Sequence, residues 1–228
     1  MPDRQGQRID VRLSDQWFSR FDSGRSLWAG PGKSGLGGSR PVQVRQGKGI
    51  FHKGRFMRIA IAKVVGISPY SQSRPVSSIK SRDLTHDEFE QKTWKERCHV
   101  DGSGMVYIPP MNFKNCIAEA AKYKSVQIPG KGKSTYTKHF EAGILCKETM
   151  PLGVHIDDVI GERFFVPASG RRGDGKRVWK TFPVFHQWGG EVEFCILDDI
   201  IDKDVFQTHL EDAGQFIGIG RFRPRNNG

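Results

Sequence analysis

Hydrophobic and polar residues alternate with two different periods along this chain, and the segments of period two predict strands. In MRIAIAKVVGI, which begins at Met57, Ile59, Ile61 and Val65 share one side among residues that favour extended backbone. This pattern is typical of a half-buried strand. In EVEFCILD, which begins at Glu191, apolar and acidic positions alternate in the same way. The two segments are the strongest strand predictions in the chain.

Shorter strands are predicted in three further places. MVYIPP, at 105–110, indicates a brief strand that two prolines end. HFEAGILC, at 139–146, is interpreted as a strand. RFFVPASGRRGDGKRVWKTFPVF, at 163–185, predicts two strands joined by a glycine-rich basic tip, which is a hairpin.

Apolar residues spaced three and four apart predict two main helices. The first helix lies in MNFKNCIAEAAKY, and its apolar face consists of Phe113, Cys116, Ile117, Ala120 and Ala121. The second begins after Asp202, a good N-cap residue, and Gly214 is predicted to end it in the left-handed conformation. Its apolar face consists of Val205, Phe206, His209, Leu210 and Ala213. A shorter helix is predicted after Thr85, because Glu88 three residues later completes a capping box.

Together these elements follow one another as strand, helix, strand, strand and helix, which predicts an α+β fold. The order is that of a ferredoxin-like or RRM-like core with an antiparallel sheet, two main helices and a basic hairpin insertion. The last strand of such a core would begin where the chain stops, at Gly228, so the sequence predicts a core whose last strand is missing.

Positive charge is concentrated in the first quarter of the chain. The formal net charge is +11, and residues 1–56 hold 11 Lys and Arg against 4 Asp and no Glu. Because this segment is also rich in glycine, we predict that residues 1–56 form a basic, flexible extension and that residues 57–228 form the domain. The alternative that the extension is not part of the functional protein stays open.

The overall charge favours a polyanionic partner, above all a nucleic acid. No apolar stretch approaches the length of a membrane span, and the N-terminus lacks the apolar run of a secretory signal, so we expect a cytoplasmic protein without a membrane partner. The four cysteines are widely separated and form no paired spacing, which favours reduced thiols over a zinc site. No metal ion or cofactor is predicted.

Two basic segments are candidates for contacts with a sugar-phosphate backbone. The run KGKSTYTKH interleaves lysines with hydroxyl groups and one aromatic ring, on which a base could stack, and it follows a helix that carries three more lysines. The candidate residues in this region are Lys114, Lys122, Lys124, Lys131, Lys133, Tyr136 and Lys138. The hairpin tip GRRGDGKR supplies Arg171, Arg172, Lys176 and Arg177.

Two motifs, together with the order of elements, resemble RAMP proteins, the RNA-recognition-motif-like subunits of CRISPR effector complexes. VYIPPMNFKNCIAEAAK resembles the segment through which these proteins enter their first helix, and FIGIGRFRPRNNG resembles the glycine-rich loop after their second helix. The chain is most similar to the backbone subunits that polymerise along guide RNA. The resemblance implies that Gly218 and Gly220 let RNA approach the backbone closely. It also implies that three arginines bind phosphate oxygens: Arg221, Arg223 and Arg225.

Three functions follow as hypotheses from these residues and from the resemblance. The first is a non-catalytic subunit that binds single-stranded guide RNA, or an RNA–DNA hybrid, without sequence preference and assembles with its own copies and other effector subunits. The second is a metal-independent endoribonuclease of the RAMP type, with His99 or His139 as the base. The third is a structural or interaction protein of a phage or other mobile element.

Overall fold

The principal sheet is antiparallel, and its strands come from both ends of the chain. The computed structural model describes residues 9–13 and 18–20 as backbone and residues 57–170 and 175–224 in full. The strands are β1 (Ile9–Leu13), β2 (Phe18–Arg20), β3 (Met57–Gly66), β6 (Ile144–Cys146) and β10 (Gly189–Ile196). Their order is β1-β3-β10-β6, and β2 pairs with β3 beyond the end of β1.

The remaining strands form two smaller antiparallel sheets. They are β4 (Tyr70–Ser71), β5 (Met105–Ile108), β7 (Met150–His155), β8 (Ile160–Pro167) and β9 (Arg177–Phe185). The three-stranded sheet has the order β4-β9-β8, and β5 pairs with β7. The predicted hairpin of 163–185 is therefore present as β8 and β9.

Four α-helices lie in the described residues: α1 (His86–Thr93), α2 (Pro110–Lys124), α3 (Thr137–Ala142) and α4 (Lys203–Asp212). The predicted capping box begins α1, because the Thr85 side chain accepts from the Glu88 amide and Glu88 in turn accepts from Thr85. The Asp202 carboxylate caps α4 by accepting from the Val205 amide. The prediction of a mixed α+β protein with antiparallel sheets is thus confirmed.

The core lies between one face of the principal sheet and the helices α2 and α4. Ala60, Ala62 and Val64 of β3 are almost completely buried there, because alternate side chains of a strand point to the same face. Phe194 of β10 meets Phe206 of α4 edge to face, with ring centroids 5.4 Å apart. The predicted apolar face of α2 is buried in the same core.

The outer edge of β3 pairs with the N-terminal strand β1 over Ile9–Leu13, antiparallel. β1 thus forms one edge of the principal sheet, and it also lies beside α4. The division of the chain after residue 56 stays a prediction.

Two local predictions are wrong. Residues 137–142 form helix α3 rather than the start of a strand, because Phe140 is drawn into the core and stacks on His209 at 4.3 Å. Gly214 does not end the second main helix, since α4 continues through the π-helical turn Ala213–Ile217. Gly218 follows this turn instead, with φ of 66° and ψ of 177°, a backbone conformation that is essentially restricted to glycine.

Candidate nucleic-acid interface

An open groove of about 800 Å³ runs along the exposed side of α2 and the turn after α4. We call it the α2 groove, and its walls include Asn115, Glu119, Lys122, Tyr123, Phe216 and Pro224. The groove lies between the outer side of α2 and the π-helical turn, which holds Phe216 beside Tyr123 in the last turn of α2. One wall therefore comes from each main helix.

Aromatic rings and lysines meet at one end of the α2 groove. The Tyr123 side chain is 66% exposed and the Phe216 side chain 37%, and their ring centroids are 5.9 Å apart. Lys124 holds its Nζ 4.9 Å from the centre of the Phe216 ring and 3.1 Å from Asp212 Oδ1. Exposed rings beside cations are the chemistry that binds single-stranded nucleic acids.

The lysines predicted to bind phosphate in this region lie in three different places. Lys122 lines the α2 groove, whereas Lys114 donates from Nζ to the Glu141 carbonyl at 2.6 Å, beside the same groove. Glu141 belongs to the groove wall, so Lys114 also borders it. The remaining lysines are exposed on the loop after α2 and at the start of α3: Lys131, Lys133 and Lys138.

Tyr136 does not offer its ring to a ligand. The side chain is only 6% exposed and packs edge-on against His209, with ring centroids 5.6 Å apart. A base stacks only on a ring that solvent can reach, so the stacking role predicted for Tyr136 is wrong. The surrounding lysines and hydroxyl groups gave no indication in the sequence that Tyr136 is a core residue.

The glycine-rich turn after α4 is shaped by packing inside the protein. A Cβ on Gly220 would lie 2.6 Å from the buried Tyr70 ring, and the residue has φ of +79°. The Arg221 amide donates to the Ser71 carbonyl at 3.2 Å. The space beside Gly220 is thus filled by the protein's own ring, and this amide is already engaged.

The arginines of the turn separate onto two surfaces. The Arg221 guanidinium carbon lies 3.9 Å from the centre of the Phe182 ring of β9, where burial and the neighbouring Arg97 lower its pKa. Arg223 turns the other way and places Nη1 3.6 Å from Glu119 Oε2, at the α2 groove. Arg225 lies outside the described residues. The turn therefore does not present one continuous row of arginines.

The hairpin of β8 and β9 carries aromatic rings that the sequence analysis did not select. Lys176 and Arg177 are exposed on it, while Arg171 and Arg172 lie outside the described residues. Phe165 and Trp179 stand directly opposite each other on its outer face and are 49% and 52% exposed. The available signal was the alternation of side-chain direction along a strand, which places Phe165 on the side of Arg163 and Trp179 on the side of Arg177.

A histidine–carboxylate pair lies on the other side of α3. His139 Nδ1 is 2.6 Å from Asp198 Oδ2, and Asp198 Oδ1 accepts from the Ile200 amide at 3.0 Å. The pair lines an open cavity of about 570 Å³ with Asp199. Arg58 Nη2 donates to the Asp198 carbonyl at 2.5 Å and lies 3.8 Å from Asp199 Oδ1. Fifty-nine residues separate the two partners, so no local pattern could reveal the pair.

His99, the other histidine considered as a base, has different surroundings. Its ring packs against Tyr107 with centroids 5.9 Å apart, and its backbone amide donates to the Gln72 side chain at 2.7 Å. Burial, with a smaller contribution from Arg74, lowers its pKa. His139 is therefore the better positioned of the two histidines for proton transfer.

No protein-family model matches this chain, and no curated protein matches it. Among residues 57–170 and 175–224, no three side chains of the ligand types His, Cys, Asp and Glu converge as a metal site. No helix in the described parts of the chain has both the length and the apolar character that crossing a membrane requires.

Proposed function

We propose that this protein is a sequence-tolerant, single-stranded RNA-binding subunit that assembles with copies of itself in a CRISPR-type ribonucleoprotein. The α2 groove is the observation that carries the proposal, because it combines two exposed rings with the cation Lys122. Two carboxylates, Glu119 and Glu141, also line it, and Arg223 pairs with the first of them. Tyr123 and Phe216 offer faces on which any base can stack, and Lys122 and Arg223 stand beside them. Neither type of contact distinguishes one base from another.

The strand order supports the RRM-like part of the proposal. A ferredoxin-like sheet places its first and third strands side by side, with the second and fourth at the edges. The order β1-β3-β10-β6 follows this scheme if β3 is the first strand, α2 and α4 are the connections, and β1 occupies the fourth position. On this proposal an N-terminal strand completes the core in place of a C-terminal one.

The test is the affinity for a fluorescently labelled oligouridylate, measured by anisotropy at several salt concentrations. We expect log K to fall with log salt by about 0.7 for each phosphate that the protein neutralises. Lys122→Glu should weaken binding and flatten this slope, because the cation lies in the groove. Lys203→Glu makes the same charge change at the distant start of α4 and is the matched control. A slope near zero, or equal losses in both variants, would overturn the proposal.

The His139–Asp198 pair favours a second candidate, a metal-independent endoribonuclease. When Nδ1–H of His139 donates to Asp198, the lone pair of Nε2 is free to take the proton of a ribose 2′-hydroxyl. The 2′ oxygen would then attack the adjacent phosphorus, and the 5′ oxygen would leave and take up a proton, which gives a cyclic phosphate and a 5′-hydroxyl. The α2 groove ends at Glu141, one residue from this cavity.

Incubation of labelled RNA with the protein in EDTA separates the two candidates. The enzyme hypothesis expects discrete products that disappear in His139→Ala and weaken in Asp198→Asn. His186→Ala is the matched control, because His186 also pairs with a carboxylate, Glu162, at 2.8 Å but lies on the hairpin. Binding without products in the wild-type protein leaves the first proposal and removes the second.

A further inference from the structure

Four planar side chains form a row across the outer face of the β8–β9 hairpin. The row runs Arg177, Phe165, Trp179, Arg163, and we call it the hairpin row. The Arg177 guanidinium carbon lies 5.8 Å from the centre of the Phe165 ring, the two rings are 5.2 Å apart, and Arg163 lies 5.4 Å from the Trp179 ring. Each guanidinium thus contacts a ring diagonally across the strands.

The two faces of the hairpin are used differently. On the inner face Phe164 packs against Phe222 at 5.4 Å, and Phe182 lies under Arg97 and Arg221, so the hairpin is already fastened to the body. On the outer face the two rings of the row keep about half of their area in solvent. A cross-strand aromatic pair stabilises a hairpin only modestly, and that role does not require such exposure.

The positive charge of the hairpin indicates an anionic ligand. On the outer face the two strands carry Arg163 and Arg177 and no acid, whereas Glu162, the single acid of the two strands, belongs to the other face and is bonded to His186. Arg163 also contacts Asp87 at 2.5 Å, which fixes its guanidinium beside the Trp179 ring. Rings flanked by arginine planes bind unstacked bases, and the arginines attract the phosphates between them.

We infer that the hairpin row is a second binding surface for single-stranded nucleic acid, separate from the α2 groove, in which unpaired bases stack on Phe165 and Trp179. The inference shares with the proposed function only the class of ligand. The hairpin row is a different surface with a different mode of contact, because its rings lie on the outer face of a strand pair and are flanked by arginine planes.

Tryptophan fluorescence tests this surface with the full-length protein. Titration with oligouridylate and, in parallel, oligothymidylate of about 12 nucleotides should quench the emission, because a base stacks on Trp179. Trp179→Phe should lose much of the quenching yet bind within about threefold of the wild type, since a ring remains. Trp179→Leu keeps an apolar side chain without a ring and should lose about 5- to 150-fold in affinity.

The matched control is Ile160→Ala, which removes a large exposed side chain (62% exposed) from the same hairpin. It should bind as the wild type does, and circular dichroism should show that all variants are folded. If the wild type binds RNA and Trp179→Leu binds equally well, the hairpin row is not a nucleic-acid surface and a protein partner becomes the explanation for its exposed rings. If the wild type binds no nucleic acid, the proposed function itself fails.

Discussion

At the scale of single residues, a contact inside the fold explains why a glycine occupies position 220 in the turn after α4. Gly220 combines a positive φ with a Cβ position only 2.6 Å from the Tyr70 ring, and Tyr70 is itself fixed by a bond from Asn112 at 3.1 Å. We therefore expect Gly220→Ala to lower the free energy of unfolding by about 2–4 kcal/mol, the sum of overpacking and left-handed backbone strain. Urea unfolding measures this loss.

The matched control is Gly130→Ala. Gly130 also has a positive φ, +74°, but nothing lies within 4 Å of its missing Cβ. It should lose only about 1 kcal/mol, from the backbone term alone. Equal losses at both positions would mean that the Tyr70 contact does not constrain the turn.

His209 makes the stability of the core depend on pH. The residue is 2% exposed and stacks on Phe140, and burial lowers its pKa below the ordinary value of 6.5. The unfolded chain therefore binds more protons than the folded one below about pH 6.5, so the stability present above that pH is lost as pH falls. The slope from this group is at most about 1.4 kcal/mol per pH unit.

The measurement is urea unfolding of the wild type and His209→Gln from about pH 7.5 to about pH 5.5. The variant should be less stable at every pH but show a shallower decline, because the titrating group is gone. Burial also lowers the pKa of His99. This residue therefore contributes part of the pH dependence of stability in both proteins. An unchanged slope would show that His209 does not titrate differently on unfolding.

At the scale of elements, two ion pairs involve residues of α1. The side chains of one pair are far more buried than those of the other. Arg97 donates from Nη2 to both carboxylate oxygens of Glu90, at 2.8 and 2.9 Å, and the two side chains are only 11% and 16% exposed. The same arginine covers the Phe182 ring at 4.9 Å, so it joins α1 to the hairpin. Arg163 and Asp87 form the other pair, with both side chains about half exposed.

Glu90→Ala should therefore cost about 3 kcal/mol of unfolding free energy, because it leaves a buried guanidinium without its carboxylate. Asp87→Ala should cost below about 1 kcal/mol, as exposed pairs do. Chemical denaturation of the two single variants gives both values. Similar small losses in both would mean that the Glu90–Arg97 pair does not hold α1 in place.

At the scale of the whole molecule, the principal sheet depends on the N-terminal segment for one edge. β1 and β2 together pair with β3 along Met57–Gly66, antiparallel. A chain that starts at Met57 would expose this edge, and open edges invite pairing between molecules. We expect that chain to melt at least about 5 °C lower and to associate as its concentration rises.

A chain that starts at Ile9 and keeps β1 and β2 is the control, and it should melt at a higher temperature than the chain that starts at Met57. Scanning calorimetry and light scattering read out the two properties. A chain from Met57 that is as stable and monomeric as the full one would instead favour the prediction that residues 1–56 lie outside the fold.

The sequence by itself determined the elements that rest on local chemistry. Strands β3 and β10 follow from alternation, the buried face of α2 follows from its spacing, and the starts of α1 and α4 follow from caps formed by neighbouring residues. Net charge likewise needs no coordinates, so a polyanionic partner could be predicted directly.

Only the tertiary structure decided which residues meet across the chain. It buried Tyr136, separated Arg221 from Arg223, and paired His139 with Asp198. It also set β1 beside β3 although more than 40 residues separate them in sequence. The local pattern predicted the buried face of α2, but in β3 packing buried Ala62 and Val64 and left Val65 44% exposed. Long-range contacts form by the packing of whole faces, which no short segment encodes.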